Sequence, residues 1–237
     1  MKNAIVIGAS SGIGRELASI LAENGYRLWI TGRRGPLLNE IRKELGESVT
    51  ACPMDVRDSE ATIEKFQSIL SEAKTVDLVV ISAGTGSIDP EFPWNAEQDT
   101  IDTNVAGFAA IAHASYHHFV EQGKGHLVGI TSLAAIRGGS AVSYNASKAF
   151  ETNYLQGLRY KISKLGLPVT ITEIRPGFVD TRMAKGDGLF WVQSPRKAAE
   201  QIFCAILKKK KMAYVTKRWR FIAWLLKSLP DGLYHRI

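Results

Sequence analysis

Short apolar runs rich in β-branched residues alternate along the chain with longer stretches whose apolar positions recur every three or four residues. The short runs fall at 4–7, 27–31, 48–51, 77–82, 126–131 and 169–174, and the periodic stretches predict helices near 12–24, 36–46, 58–73, 96–121, 142–165 and 195–209. Val79-Val80-Ile81 and Leu127-Val128-Gly129-Ile130 are continuously apolar, as strands covered on both faces must be, so the predicted sheet is parallel. Right-handed βαβ crossovers then place helices on both sides, which makes the expected fold an α/β, doubly wound parallel sheet of about seven strands. Asp58 and Ser194 are the candidate N-caps of the third and last helices, and Pro195 suits a first helical position. No linker, internal repeat or low-complexity segment interrupts the pattern.

Composition narrows this little. A chain of 237 residues with 45% hydrophobic and 22% charged residues suits one large folded unit. We take that unit as 1–215, followed by a basic tail at 216–237. The net charge of +7 is concentrated late: Lys208, Lys209, Lys210 and Lys211 are contiguous, and Lys217, Arg218, Arg220, Lys227 and Arg236 follow. Cys52 and Cys204 lie far apart without metal-type spacing and are expected to be buried spectators in a reduced interior. No cleavable leader precedes the first apolar run and no stretch is long enough to span a bilayer, so a cytoplasmic location is the expectation.

The first strand runs directly into Gly8-Ala9-Ser10-Ser11-Gly12-Ile13-Gly14, and a helix follows without a gap. Glycines here permit a tight turn and close backbone approach to a pyrophosphate, while the helix N-terminus offers N–H donors and positive dipole. A glycine-rich turn without a ligand is the plainer alternative, and the strand before with the helix after favours nucleotide binding. At the end of the second strand an NAD-binding chain needs a carboxylate for the ribose hydroxyls. Thr31-Gly32-Arg33-Arg34 has none; it offers two guanidiniums that pair with a phosphate. NADP(H) is therefore preferred over NAD(H), against the alternative of two solvated surface arginines.

Tyr144 and Lys148 lie four apart on a predicted helix and share a face. A free phenol has a pKa of about 10, and a nearby ammonium makes it a usable general acid/base near neutrality. Such a pair is common on solvated helices, so its weight comes from context.

That context resembles the short-chain dehydrogenase/reductase family, from the Gly8-x-x-x-Gly12-x-Gly14 spacing through the Tyr144-x-x-x-Lys148 segment to about residue 200. The resemblance implies a Rossmann-like domain in which Asp55-Val56 contacts adenine and Ser82-Ala83-Gly84 stands for the family's N-A-G turn, with Ser in place of Asn. It implies Asn104, Ser132, Tyr144 and Lys148 as the catalytic set, Ser132 holding the substrate oxygen and Asn104 a water on a proton path to Lys148. Ser132 precedes Tyr144 by twelve residues, slightly short of the commonest family spacing, and an exchange of roles with Thr131 stays open. Pro176-Gly177-Phe178-Val179-Asp180-Thr181 resembles the segment that meets the nicotinamide through Val179 and Thr181. The implied reaction is hydride transfer between NADP(H) and a carbonyl or alcohol carbon, in a homodimer or homotetramer.

Other readings remain beside this one. A nucleotide-binding regulatory protein of the same fold would not need an acid/base tyrosine, and a nucleic-acid binder would need a recognisable module. His113, His117 and His118 share a helix without a third ligand type, so no metal is expected. Residues 182–194, including Leu189, Phe190, Trp191 and Val192, fall where the family has a lid; they suit either a hydrophobic substrate or an anchor to the core. The basic, tryptophan-bearing stretch 217–227 suits an anionic bilayer surface, a helix closing the pocket, or a dimer contact.

Overall fold

The structure is a computed structural model and describes residues 1–89, 91–183 and 190–234. Seven strands form one all-parallel sheet: β1 (Lys2–Ile7), β2 (Tyr26–Gly32), β3 (Val49–Pro53), β4 (Leu78–Ile81), β5 (Gly125–Ile130), β6 (Val169–Pro176) and β7 (Met212–Val215), in the order β3-β2-β1-β4-β5-β6-β7. Each of β1, β4 and β5 has neighbours on both sides and is almost wholly buried, which is why those runs are continuously apolar. The order reverses between β1 and β4, so a crevice opens beyond their carboxyl ends.

Helices cover both faces: α1 (Gly12–Glu23), α2 (Gly35–Leu45), α3 (Ser59–Ala73), α4 (Trp94–Ile101), α5 (Phe108–Gln122), α6 (Val142–Leu165), α7 (Pro195–Leu207), α8 (Trp219–Ser228) and the short α9 (Asp231–Tyr234). Alternating residues of each strand feed two separate cores. Val6, Ile30 and Val80 pack with Leu17 and Ile202 on one side, and Ile5, Trp29 and Val79 with Phe66 and Phe108 on the other. The expected caps form: Asp58 accepts from Ala61 N–H at 3.0 Å and Ser194 from Lys197 N–H at 3.4 Å, with Pro195 in the first helical turn.

Three expectations need correction. The helix expected over 96–121 is interrupted by a π-helical turn, Asp102–Gly107, between α4 and α5. Two contacts explain it: the Asn104 side chain is drawn to the loop after β4, and Gly107 lets the backbone press against Val56. Cys204 is exposed, unlike Cys52, because it falls on the outer face of α7. The strand β7 was not among the six predicted runs, being too short and too near the lysine run to stand out, and the stretch 217–227, for which a helix was one of three readings, forms α8.

Candidate active site

The glycine loop is folded by its neighbour strand. Gly8 and Ala9 donate their N–H groups to the carbonyl of Thr31 at 3.0 and 2.8 Å. Gly8 has φ of +88°, and a Cβ there would stand 2.4 Å from the nitrogen of Ala83, so the turn after β1 and the Ser82-Ala83-Gly84 turn after β4 touch backbone to backbone. Ile13 packs on the core behind the loop. Ser11 precedes α1 in extended conformation and makes no side-chain cap. Its hydroxyl, with that of Ser10, instead accepts from the Arg34 guanidinium at 2.7 and 2.8 Å.

Arg34 therefore leans over the loop. Burial, together with the guanidiniums of Arg182 and Arg33, holds it below the usual arginine range. Arg33 lies further out, 3.7 Å from Asp99. Arg57 occupies the nearby carboxylates, 2.6 Å from Asp55 and 2.9 Å from Asp99. The hydrogen bond from Arg57 holds the Asp55 carboxyl below its usual range, while Val56 is buried beneath it. A cleft of about 480 Å³ opens beside the glycine loop, lined by Ser11, Gly12, Arg15, Glu16, Thr181 and Arg182. Thr181 rests against Gly12. Pro176 ends β6, Gly177 donates to the carbonyl of Val215 at 2.8 Å, and the buried Val179 bridges to Gln193. A glycine loop, a helix N-terminus and an arginine cluster together fit a phosphorylated dinucleotide.

Beyond β4 and β5 the remaining candidates converge. Asn104 is fully buried; its Oδ1 accepts from Thr85 N–H at 2.9 Å, and its Nδ2 donates to the Thr85 carbonyl at 2.7 Å and to Ser147 Oγ at 3.0 Å. The π turn thus clamps the loop after β4 against α6. Tyr144 packs on that same loop so closely that a Cβ at Gly86 would lie 2.5 Å from the Tyr144 ring. Lys148 reaches under the ring, its Nζ 5.7 Å from the centroid, and donates to the carbonyl of Ile130 at 3.2 Å. The two hydroxyls after β5 separate as strand alternation demands. Thr131 is buried and donates to the Ile174 carbonyl at 3.0 Å, whereas Ser132 Oγ accepts from Ala134 N–H at 3.1 Å.

The aromatic segment after residue 189 gathers around the tail. Trp219 of α8 is buried over Gly177 and packs edge-on against Phe178 and Trp191, with Phe190 at 5.1 Å. Arg137, in the loop before α6, donates to the Leu226 carbonyl at 3.3 Å and pairs with Asp231. Leu189 and Arg236 lie outside the described residues. His113 and His117 stack edge-on at 4.4 Å on α5. No described helix is long and apolar enough to cross a membrane.

Fold and crevice define an α/β protein built to hold a dinucleotide beside a tyrosine–lysine pair. Residues 2–188 match the family model of short chain dehydrogenases, and the chain belongs to the short-chain dehydrogenase/reductase family. It is thus an NAD(P)-dependent oxidoreductase. An uncharacterized oxidoreductase of Myxococcus xanthus is 41% identical over 188 residues, 77% of this chain and 74% of that one. The NADP-dependent 3-hydroxy acid dehydrogenase YdfG of Salmonella typhimurium is 33% identical over 181 residues, 74% of this chain and 71% of that one. Among solved structures, the closed form of serine dehydrogenase complexed with NADP+ superposes with a TM-score of 0.79 at 27% identity, covering 86% of this chain and 88% of that one. A short-chain dehydrogenase/reductase from Burkholderia phymatum in complex with NAD gives 0.83 at 20% identity, covering 94% and 92%, which speaks to fold alone.

Sequence reasoning missed four residues that the crevice brings in: Ser147, Glu151, Arg182 and Trp219. A signal for two of them was present. Tyr144, Ser147, Lys148 and Glu151 fall at helical spacing on one face, and a polar stripe that turns apolar at Leu155 marks a buried polar site. Arg182 and Trp219 lie in the 182–194 and 217–227 stretches singled out above, but nothing local says that either residue reaches this crevice.

Proposed function

We propose that this chain reduces a carbonyl, or oxidises the corresponding secondary alcohol, with NADP(H) as the preferred partner. The observation that carries the reading is the cluster beneath the turn at 82–86, where Asn104 bonds Ser147, Ser147 bonds the Tyr144 carbonyl and Lys148 lies under the Tyr144 ring. When bound, the nicotinamide supplies or accepts the hydride at C4. Arg34 and Arg33 would hold the 2′-phosphate, the 8–14 loop the pyrophosphate, Asp55 and Val56 the adenine side, and Val179 and Thr181 the nicotinamide side. Because the Ser132 oxygen already accepts from Ala134, its own proton is available to donate to a substrate oxygen. Tyr144 gives that oxygen its proton in reduction and takes it back in oxidation, with the Lys148 ammonium beside its ring.

The test is NADPH oxidation against aldehydes, ketones and 3-oxoacyl compounds, and NADP+ reduction with 3-hydroxy acids, the class named for the Salmonella relative. Turnover of at least one class is expected; binding of NADPH without turnover of any would favour the regulatory reading.

The tail carries a second partner. On α8, Phe221, Trp224 and Leu225 are 74%, 70% and 48% exposed and share one face, while Trp219 and Ala223 are buried on the other. Eight lysines and arginines and no carboxylate lie between residues 208 and 230. An apolar stripe framed by cations fits the surface of an anionic bilayer. Sedimentation with vesicles containing phosphatidylglycerol, but not with pure phosphatidylcholine, is expected, and Phe221→Ser with Trp224→Ser should reduce the bound fraction about tenfold. If the double variant instead sediments like the wild type, or only loses an oligomer seen by light scattering, the face belongs to a second copy of the chain.

A further inference from the structure

Lys148 is only 4% exposed, and both oxygens of Glu151 hold its Nζ, at 2.8 and 2.9 Å. Glu151 is wholly buried, one turn further along α6. A buried carboxylate is costly unless paired and hydrogen-bonded. Among the described residues its hydrogen-bonding partner is the lysine beside the acid/base tyrosine. The other acceptor on Nζ is the carbonyl of Ile130 at the end of β5. The ammonium is therefore held from below by Glu151 and from the strand end by Ile130, under the turn that carries Gly84.

We propose that Glu151 is a positioning residue for the Tyr144–Lys148 pair: it fixes where the Lys148 ammonium points and offsets part of the positive field that Tyr144 feels. The first role follows from geometry. A lysine side chain has four rotatable bonds and loses close to 2 kcal/mol of rotamer freedom when fixed, and the bidentate carboxylate holds it in one arrangement before any ligand arrives. The second follows from charge. An ammonium with a carboxylate at 2.8 Å acts on a neighbouring phenol as a dipole and not as a full unit charge.

The groups facing Glu151 are few. Lys148 stands on its own helix, and Glu173 approaches from β6, where it is itself paired with Arg175 at 2.6 Å and Arg159 at 3.7 Å and accepts from Thr131 and Thr152. Burial, with Glu173 adding to it, outweighs the pull of Lys148 and pushes the Glu151 carboxyl up to about 7. The carboxylate thus gains or loses its charge near neutrality, and the acid/base pair works beside a counter-charge that follows pH.

This inference rests on the proposed reaction, so its test has one arm that needs turnover and one that does not. With the best substrate of the panel, the pH profile of kcat/KM for alcohol oxidation is compared among the wild type, Glu151→Gln and Glu151→Leu. Gln keeps an acceptor for Nζ without the charge, so the rising limb is expected to move down by about one pH unit while the plateau falls less than tenfold. Leu removes the acceptor, and the plateau should fall by more than about tenfold with NADPH affinity changed less. A limb that stays in place in both variants, with only a uniform loss of rate, would show that Glu151 is structural and overturn the proposal.

The second arm follows thermal unfolding of the wild type and Glu151→Gln from about pH 5 to about pH 8. A carboxyl whose pKa is raised on folding, here from 4.5 toward 7, contributes stability at low pH that is lost as pH rises through the folded value. Tm of Glu151→Gln should therefore rise relative to the wild type across that range. A difference that is flat with pH would overturn the counter-charge that follows pH even if no substrate were turned over, whereas absence of turnover with the slope present would count against the reaction alone.

Discussion

Replacing Tyr144 by Phe is expected to lower kcat/KM for NADPH-dependent carbonyl reduction by about 10³-fold, the loss typical of removing a positioned general acid, which corresponds to about 4 kcal/mol of transition-state stabilisation. The substitution takes away one oxygen and leaves the ring. Because that ring packs directly on Gly86 and lies above the Lys148 ammonium, Phe fits the same space, and neither the loop after β4 nor the Asn104 clamp should shift. NADPH affinity is then expected to change less than about threefold, as the hydroxyl contributes at most one hydrogen bond to binding. Single-turnover rates measured beside NADPH fluorescence titrations separate the two effects. A variant that turns over like the wild type would remove Tyr144 from the mechanism, and one that loses NADPH binding and rate together would make it a binding residue.

The second large effect concerns the choice of cofactor. Removing Arg33 and Arg34 together is expected to weaken NADPH binding about 100-fold, close to 2.7 kcal/mol, with NADH binding altered less than about threefold. Arg34 should carry most of it. Its guanidinium already stands at Ser10 and Ser11, and Arg57 pairs with Asp55 and Asp99, two carboxylates outnumbered by Arg33, Arg34, Arg57 and Arg182, so the patch stays positive. Arg33 is more exposed and shares Asp99 with Arg57, so its single substitution should cost less and the effect should fade with salt. NADH is the internal control, since loss of the Arg34 bonds to the glycine loop would weaken both nucleotides alike. Equal loss for NADH and NADPH, or none for either, would refute the 2′-phosphate assignment.

Much of the site was legible because its information is local. The glycine spacing after the first apolar run places a turn between a strand and a helix whatever the rest of the chain does. Tyr144 and Lys148 share a helical face for the same reason, and strand alternation sends Thr131 and Ser132 to opposite sides. The interior of the long helix near 104 was read as regular, because nothing in the neighbouring residues says that an asparagine will be drawn out to clamp Thr85. Cys204 was expected inside, although in the fold it lies on the outer face of α7.

By itself, then, the sequence determined the parallel α/β plan, the glycine turn between strand and helix, the arginine pair after β2 and the shared helical face of Tyr144 and Lys148, since these follow from periodicity and spacing, while the roles proposed for them come from the family resemblance. Tertiary structure alone decided that Lys148 is held by a buried carboxylate, that Arg182 joins the arginine cluster and that Trp219 of the tail sits over Gly177 beside Phe190. The physical reason is that the last two join segments tens of residues apart in the chain. Glu151 is near in sequence, but only its complete burial turns an ordinary helical pair into a constraint on Lys148.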